Sequence, residues 1–149
     1  MKVSQRSTYG IMAAVDLAMQ SGSAPIQAKS IAKRQAIPAR FLEQVLHTMK
    51  KAGLVSSLRG AQGGYVLSKK PSEISVAEIL EALDGPFVSV SGFNGKSSLR
   101  HAAKSDLLLA QVWDRVQEAE KHVLGAITVE ELAEQQRQLE QQRSLMYHI

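Results

Sequence analysis

Apolar residues recur at helical spacing along much of the chain, most clearly in one run in its first third. The apolar members of this run occupy positions i, i+3, i+4 and i+7: Leu42, Val45, Leu46 and Met49. This spacing is typical of a helix that buries one face. Pro38 precedes the run and Gly53 follows it, and these residue types favour the first turn and the end of a helix, respectively. We therefore predict an amphipathic third helix between Pro38 and Gly53.

Similar patterns, bounded by capping residues or helix breakers, predict two helices before this one and three after it. They cover approximately Ser4–Met19, Gln27–Gln35, Ser75–Gly85, Asp106–Leu124 and the polar, Gln-rich residues from Thr128 onward. In the first of them, Ile11, Val15 and Ala18 share one apolar stripe, with Met12 and Met19 beside it. The segment from Phe87 to about Lys104 is rich in Ser, Gly and Asn, which predicts a surface loop.

Two short β-strands are predicted directly after the third helix. Val55–Leu58 and Tyr65–Leu67 are separated by the sequence R-G-A-Q-G-G. Three glycines in these six residues supply the positive φ angles that a hairpin turn needs. The glycines resemble a phosphate-binding loop, but the Lys-Ser/Thr pair and the following helix of a P-loop are missing. We therefore expect a glycine-tipped hairpin and not a nucleotide site.

Composition narrows the class of protein. Hydrophobic residues make up 44% of the chain, enough for a packed globule, whereas aromatic residues make up only 5%, which argues against rows of stacked bases. No apolar run approaches the ~20 residues of a membrane span, and the start of the chain lacks an apolar signal core. We therefore expect a cytoplasmic protein that makes no membrane contact. The absence of cysteine excludes disulfides and thiolate-bound metal or iron–sulfur centres.

Charge is distributed unevenly along the chain. Residues 1–70 hold 11 Lys and Arg against two acidic residues, whereas residues 71–149 hold 7 against 12. The first half therefore carries +9 and the second half −5, within a total of +4. A surface of solvated charges is the plain explanation, but so large an asymmetry favours a module that binds a polyanion.

The polar side of the third helix carries residue types suited to the DNA major groove. Arg40 and Gln44 can form paired hydrogen bonds with guanine and adenine edges, and Glu43 can accept one from the cytosine amino group. Most polar helix faces are only solvated, but the hairpin after this helix favours a winged helix-turn-helix. As the wing, the hairpin brings its backbone close to DNA, and Arg59 can enter the minor groove or contact phosphate.

The predicted fifth helix carries a heptad-like stripe whose apolar residues alternate in steps of three and four. With Trp113 just beside them, these residues are Leu109, Val112, Val116, Ala119, Val123 and Ala126. The stripe belongs either to the core of one chain or to a dimer interface. Winged helices usually bind two half-sites related by two-fold symmetry, which favours the dimer. We therefore assign Leu109, Val112, Trp113, Val116 and Val123 to the dimer interface.

No catalytic constellation emerges from the sequence. Asp16, Glu43 and Asp84 have no evident partners for acid–base chemistry. The four histidines are too widely spaced for a metal site: His47, His101, His122 and His148. We predict no enzymatic activity, no metal site and no cofactor. Whether His101 and the loop of residues 88–101 bind a ligand is left open.

Three segments of the chain resemble one family of bacterial regulators. They are K-V-S-x-x-S-x-Y-G at the start, I-P-x-x-F-L-E-Q-V-L in the third helix and A-G-L-V-x-S-x-R-G-x-x-G-G-Y-x-L in the hairpin. They are similar to the winged-helix repressors of the IscR, NsrR and CymR type, which regulate iron–sulfur clusters, respond to nitrite and control cysteine metabolism. The resemblance is strong over residues 1–85 and continues loosely over most of the remaining chain.

The resemblance implies a mainly α fold: a winged helix-turn-helix with a two-stranded β wing and a long C-terminal dimerisation helix. It divides the chain into a DNA-binding domain (1–85), a variable loop that is the sensor in relatives (86–104), and a dimerisation helix with a C-terminal helix (105–149). It also implies a homodimer that binds double-stranded DNA at an imperfect palindrome near promoters. The DNA-contacting residues are then Lys2, Ser4, Arg6, Ala39, Arg40, Glu43, Gln44, His47, Lys50, Arg59, Gly60, Gln62 and Gly63.

The chain departs from the family pattern in the loop that senses the regulatory signal in relatives. Iron–sulfur members carry three cysteines in the loop after the fourth helix, where this chain has serines and no cysteine. Neutral hydroxyls are poor iron ligands, so we predict a transcriptional regulator of the repressor type that acts without an iron–sulfur cluster. Its effector is left open between a small molecule and a protein. The alternative is an adaptor that keeps the winged-helix scaffold but docks a partner protein through its long helices.

Overall fold

Six α-helices and one β-hairpin make up the part of the chain that the computed structural model describes, residues 2–20, 24–86 and 104–148. In chain order the elements are α1 (Gln5–Met19), α2 (Ala28–Gln35), α3 (Ala39–Lys51), β1 (Val55–Leu58), β2 (Gly64–Leu67), α4 (Val76–Asp84), α5 (Lys104–Ala126) and α6 (Val129–Tyr147). A short 3-10 turn at Pro71–Glu73 connects β2 to α4. The predicted mainly α fold with a two-stranded hairpin is confirmed. The loop predicted from Phe87 lies almost entirely outside the described residues.

The core forms where α1, α2, α3, α4 and α6 meet. All four apolar residues of the predicted stripe on α3 are fully buried there, with 0% of their surface exposed. At the start of α3, Phe41 packs edge-on against Tyr9 of α1, with ring centroids 5.4 Å apart. Such a T-shaped contact is favourable beyond the area it buries. The third helix is therefore held by its whole apolar face.

The apolar stripe of α1 is only partly buried, although its member Ala18 belongs to the core. Ile11 and Val15 are only half-buried, while the fully buried positions are taken by small residues such as Ala13 and Ala14. α1 is contacted by α3, α4 and α6 together. Small residues let several helices approach α1 closely, and larger ones lie at the margins of the contact.

The hairpin is an antiparallel pair in which Val55 lies opposite Leu67 and Leu58 opposite Gly64. β2 thus begins one residue earlier than predicted. The hairpin is attached to the helical body by a backbone bridge. Ile26 donates to the Tyr65 carbonyl at 2.9 Å, and Tyr65 donates back to the Ile26 carbonyl at 2.8 Å. The wing therefore has a fixed position relative to the helices.

The two C-terminal helices are placed in different ways. In α5 no side chain is buried, whereas Val129 and Ala133 of α6 belong to the core, at 0% and 1% exposure. Arg137 of α6 also donates to the carbonyl of Ala18, at the end of α1, at 3.3 Å. Beyond these contacts α6 continues to Tyr147, because its Gln, Glu, Arg and Leu residues favour helix even where they are solvated.

Candidate nucleic-acid interface

The connection between α2 and α3 has the geometry of a helix-turn-helix. Ala36 adopts a left-handed backbone conformation with φ of 53°, which ends α2. The next residue, Ile37, is buried and donates to the carbonyl of Ala32 at 2.9 Å. Pro38 then caps α3. This short, anchored turn sets the direction in which α3 leaves α2, and hence which of its faces is exposed.

The exposed face of α3, which we call the reading face, carries every residue that the sequence assigned to it. All are exposed: Ala39, Arg40, Glu43, Gln44, His47 and Lys50. They lie on the side of α3 opposite the buried apolar stripe. The protein therefore keeps them exposed for as long as α3 stays packed in the core. The face combines hydrogen-bond donors and acceptors suited to base edges with cations suited to phosphate.

The N-terminus of α1 lies beside the reading face. The Arg6 guanidinium donates to the Thr48 hydroxyl at 3.3 Å, and this hydroxyl donates to the Gln44 carbonyl at 3.1 Å. Lys2 is exposed just before the helix. Of the predicted contacts from the chain's start, Arg6 thus touches α3 itself, and Lys2 lies four positions before Arg6 in the chain. Thr48 was not among the predicted site residues.

Ser4, the third predicted contact in this region, already has several partners. Its hydroxyl caps α1 by accepting from the Ser7 amide at 3.1 Å, and it donates to the carboxylate of Asp84. The Ser7 hydroxyl donates to the same carboxylate at 2.7 Å. Burial alone raises the pKa of Asp84, but hydrogen bonds from Ser4 and Ser7, with the charge of Arg6, outweigh it and hold this pKa below its ordinary value.

The tip of the wing presents Arg59, Gly60 and Gln62 to solvent. Gly60 has φ of 109°, a conformation that side chains rarely adopt, and its carbonyl accepts from the Gly63 amide at 3.0 Å. Gly63 itself is buried, and a side chain there would collide with the Leu58 carbonyl. The assignment of Gly63 to the DNA surface is therefore corrected. Gly63 closes the turn, and the exposed surface of the wing tip is formed by Arg59, Gly60 and Gln62.

An ion pair between a buried carboxylate and a partly exposed guanidinium links α1 to α2. The Arg34 guanidinium donates to both carboxylate oxygens of Asp16, at 2.7 and 3.0 Å, and the Gln35 amide donates at 2.9 Å. The hydrogen bonds from Arg34 to Asp16, together with the charge of Asp16, outweigh the effect of burial and raise the pKa of Arg34 above its ordinary value. Asp16, for which the sequence suggested no partner, is thus a structural residue that joins the first two helices.

Acidic and histidine side chains do not gather into a metal site anywhere in residues 2–20, 24–86 and 104–148. Over the same residues, no helix has both the length and the apolar character needed to cross a membrane. What the described residues do build is an amphipathic helix on a tight turn, followed by a docked hairpin with an exposed arginine. These features define a winged helix-turn-helix protein.

The chain belongs to the Rrf2 family, whose model is described as an iron-dependent transcriptional regulator and matches residues 3–135. It is 35% identical over 133 residues to the HTH-type transcriptional regulator CymR of Bacillus subtilis, covering 89% of this chain and 90% of that protein. It is 33% identical over 140 residues to IscR of Xenorhabdus nematophila, covering 94% and 84%. The predicted resemblance is confirmed.

A solved structure of B. subtilis CymR, described as the global cysteine regulator, matches with a TM-score of 0.71 at 34% identity and covers 90% of this chain and 97% of that one. Together with the family assignment, this likeness identifies the protein as a DNA-binding transcriptional regulator and does not favour the adaptor. The family model is one of regulators of transcription.

The family description mentions iron, but the residues of this chain do not fit an iron–sulfur cluster. The chain contains no cysteine, so it has no thiolate to offer to iron. His101 and the serines of the loop after α4 lie outside the described residues. A regulator without a cluster therefore stays a prediction, and nothing below depends on bound iron.

Proposed function

We propose that the protein is a repressor that binds a palindromic promoter site as a homodimer. The observation that carries this proposal is the reading face of α3, because six exposed residues there stand directly opposite four fully buried ones. A helix fixed in this way can enter the major groove without losing its core contacts. Each protomer of a symmetric dimer would then read one half-site.

The proposed contacts divide into two groups. Arg40, Glu43 and Gln44 lie on the first turns of α3, where side chains of these types can read base edges. Lys2, Arg6 and Lys50 are cations that would meet phosphates and add affinity independent of sequence. The remaining proposed contacts are Ser4, Ala39, His47, Arg59, Gly60 and Gln62.

The proposed dimer uses the apolar stripe of α5. Leu109, Val112 and Val116 are 51%, 44% and 45% exposed, and Val123 is 58% exposed. Trp113 lies beside them at 37% exposure. A row of large apolar residues left exposed on one helix supports an interface with a second chain. The domain limits at residues 85 and 104 belong to this proposal, as does the absence of enzymatic activity.

Fluorescence anisotropy with a promoter fragment found by genome-wide footprinting tests the proposed contacts. We expect Gln44→Ala and Arg59→Ala each to weaken binding by ~1–3 kcal/mol. If Arg59 contacts phosphate, its replacement should also reduce the slope of log K against log salt concentration by about 1. Lys121→Ala, which removes a cation from exposed α5, is the matched control. Wild-type affinity in both test variants would refute the assignment.

A further inference from the structure

The carboxylate of Asp84 joins two helix ends. Asp84 is the last residue of α4, and it accepts hydrogen bonds from the Ser7 hydroxyl at 2.7 Å, from the Ser4 amide at 3.3 Å and from the Ser4 hydroxyl. Ser7 is fully buried, so its hydroxyl has no water to replace this partner. The N-terminus of α1 is thereby tied to the C-terminus of α4.

The charge of Asp84 suits α1 and not its own helix. A negative charge is unfavourable at the C-terminus of a helix and favourable at an N-terminus. Asp84 therefore loses electrostatic stabilisation in α4 and regains it at the first turn of α1, where the free backbone amides lie. The interaction has the character of a cap that one helix supplies to another.

From α1 the contacts continue to the reading face. Arg6 lies within the first turn of α1 and donates to Thr48 of α3 at 3.3 Å. Thr48 in turn donates to the carbonyl of Gln44 at 3.1 Å. Hydrogen bonds thus link three helices in the order α4, α1 and α3. They lie at the start of α1, next to the proposed phosphate contacts Lys2 and Arg6.

We propose that Asp84 is a positioning residue for DNA binding, which holds the N-terminus of α1 so that Lys2 and Arg6 lie against the DNA backbone beside α3. This inference rests on the proposed function, because it takes Lys2 and Arg6 to contact phosphate. It assigns to the end of α4 an influence on DNA affinity although Asp84 itself touches no DNA.

Removing Asp84 should change DNA affinity in opposite directions depending on whether Asp84 acts by positioning α1 or only through its charge. If only charge mattered, losing a carboxylate near DNA would strengthen binding. Positioning predicts the opposite: Asp84→Ala weakens binding to the footprinted promoter fragment roughly 10-fold and reduces the salt slope by about 1, as expected for one lost phosphate contact. Glu81→Gln, which removes a charge one turn earlier on α4, should leave binding unchanged or slightly tighter.

A control for folding uses a second substitution of Asp84. Asp84→Asn keeps the shape and one acceptor oxygen, so we expect it to fold as the wild type does and to weaken binding less than Asp84→Ala. Circular dichroism and thermal unfolding of each variant establish that it is folded at the temperature of the binding assay. Binding by folded Asp84→Ala or Asp84→Asn as tight as wild type, with an unchanged salt slope, would overturn the proposal.

A double-mutant cycle with Arg6 identifies the path. If Asp84 acts through the start of α1, Asp84→Ala should weaken binding much less in an Arg6→Ala background than in the wild type. Full additivity of the two substitutions would overturn the inference. If Arg6→Ala and Lys2→Ala both bind as the wild type does, the proposed phosphate contacts fail instead, so the two failures are distinguishable.

Discussion

At the scale of single residues, Asp16 shows how a charge becomes part of the core. Only 1% of its surface is exposed, and its carboxylate accepts three hydrogen bonds from Arg34 and Gln35. A buried carboxylate without partners would cost several kcal/mol, so these bonds are required for α1 and α2 to pack. The partners lie 18 and 19 positions away in the chain, which no local pattern connects.

Removing the guanidinium tests this requirement. We expect Arg34→Ala to lower the free energy of unfolding by about 2–3 kcal/mol, measured by urea denaturation, because Asp16 loses its charged partner. The loss is smaller than for a fully buried pair because 39% of the Arg34 side chain is exposed. Lys33→Ala, its exposed neighbour, should change stability by less than ~0.5 kcal/mol. Equal stability of the two variants would contradict the structural role of the pair.

At the scale of elements, the docking of the wing against the helical body depends on Gly64. Gly64 has φ of 154°, and a Cβ atom there would lie 2.5 Å from the carbonyl carbon and oxygen of Ile26. This close approach permits the backbone bridge between Ile26 and Tyr65. Gly60 at the tip also has a positive φ, but open space surrounds it.

Substituting the two glycines separates docking of the wing from strain in its turn. We expect Gly64→Ala to destabilise the protein by about 2–4 kcal/mol, because backbone strain and collision add. Gly60→Ala adds strain alone and should cost about 1–2 kcal/mol. Thermal unfolding of both variants measures the difference. Losses of the same size would show that the wing is not held by close contact at Gly64.

Most elements were predictable from the sequence because their signals are local. The capping box of Ser75 and Glu78 at the start of α4 is one such local signal, with hydrogen bonds of 3.2 and 2.9 Å. The exposed residues of α3 follow from the spacing of the buried ones. In contrast, the links from Asp84 to Ser7 and from Arg6 to Thr48 span 77 and 42 positions. They depend on how the helices pack, which periodicity alone does not determine.

At the scale of the whole molecule, α5 stands apart, since the rest of the helices contribute buried residues and it contributes none in the described part of the chain. A 23-residue helix of mixed composition gains little from propensity alone when its apolar residues face water. A second copy that covers the stripe would supply the missing stabilisation. Such an interface would be symmetric, so a substitution in the stripe would appear on both sides of the interface.

A charge placed in the stripe tests the dimer. We expect Val116→Glu to raise the dimer dissociation constant by ~100-fold or more, because the interface would bury two unpaired carboxylates. Sedimentation equilibrium measures the change. Trp113 is the only tryptophan, so its emission should shift to longer wavelength on dilution as the dimer dissociates. Gln111→Glu, off the stripe, should leave the dimer intact. A dimer that tolerates Val116→Glu would exclude this interface.

The burial of Val129 and Ala133 has a consequence for protein synthesis. Both residues complete a core that otherwise consists of residues from the first 83 positions, yet the ribosome adds them after the whole of α5. The winged helix-turn-helix part of the chain therefore cannot complete its core until most of the chain has been made. A product of premature termination before Val129 leaves that core uncovered, which favours its degradation over competition for promoter sites.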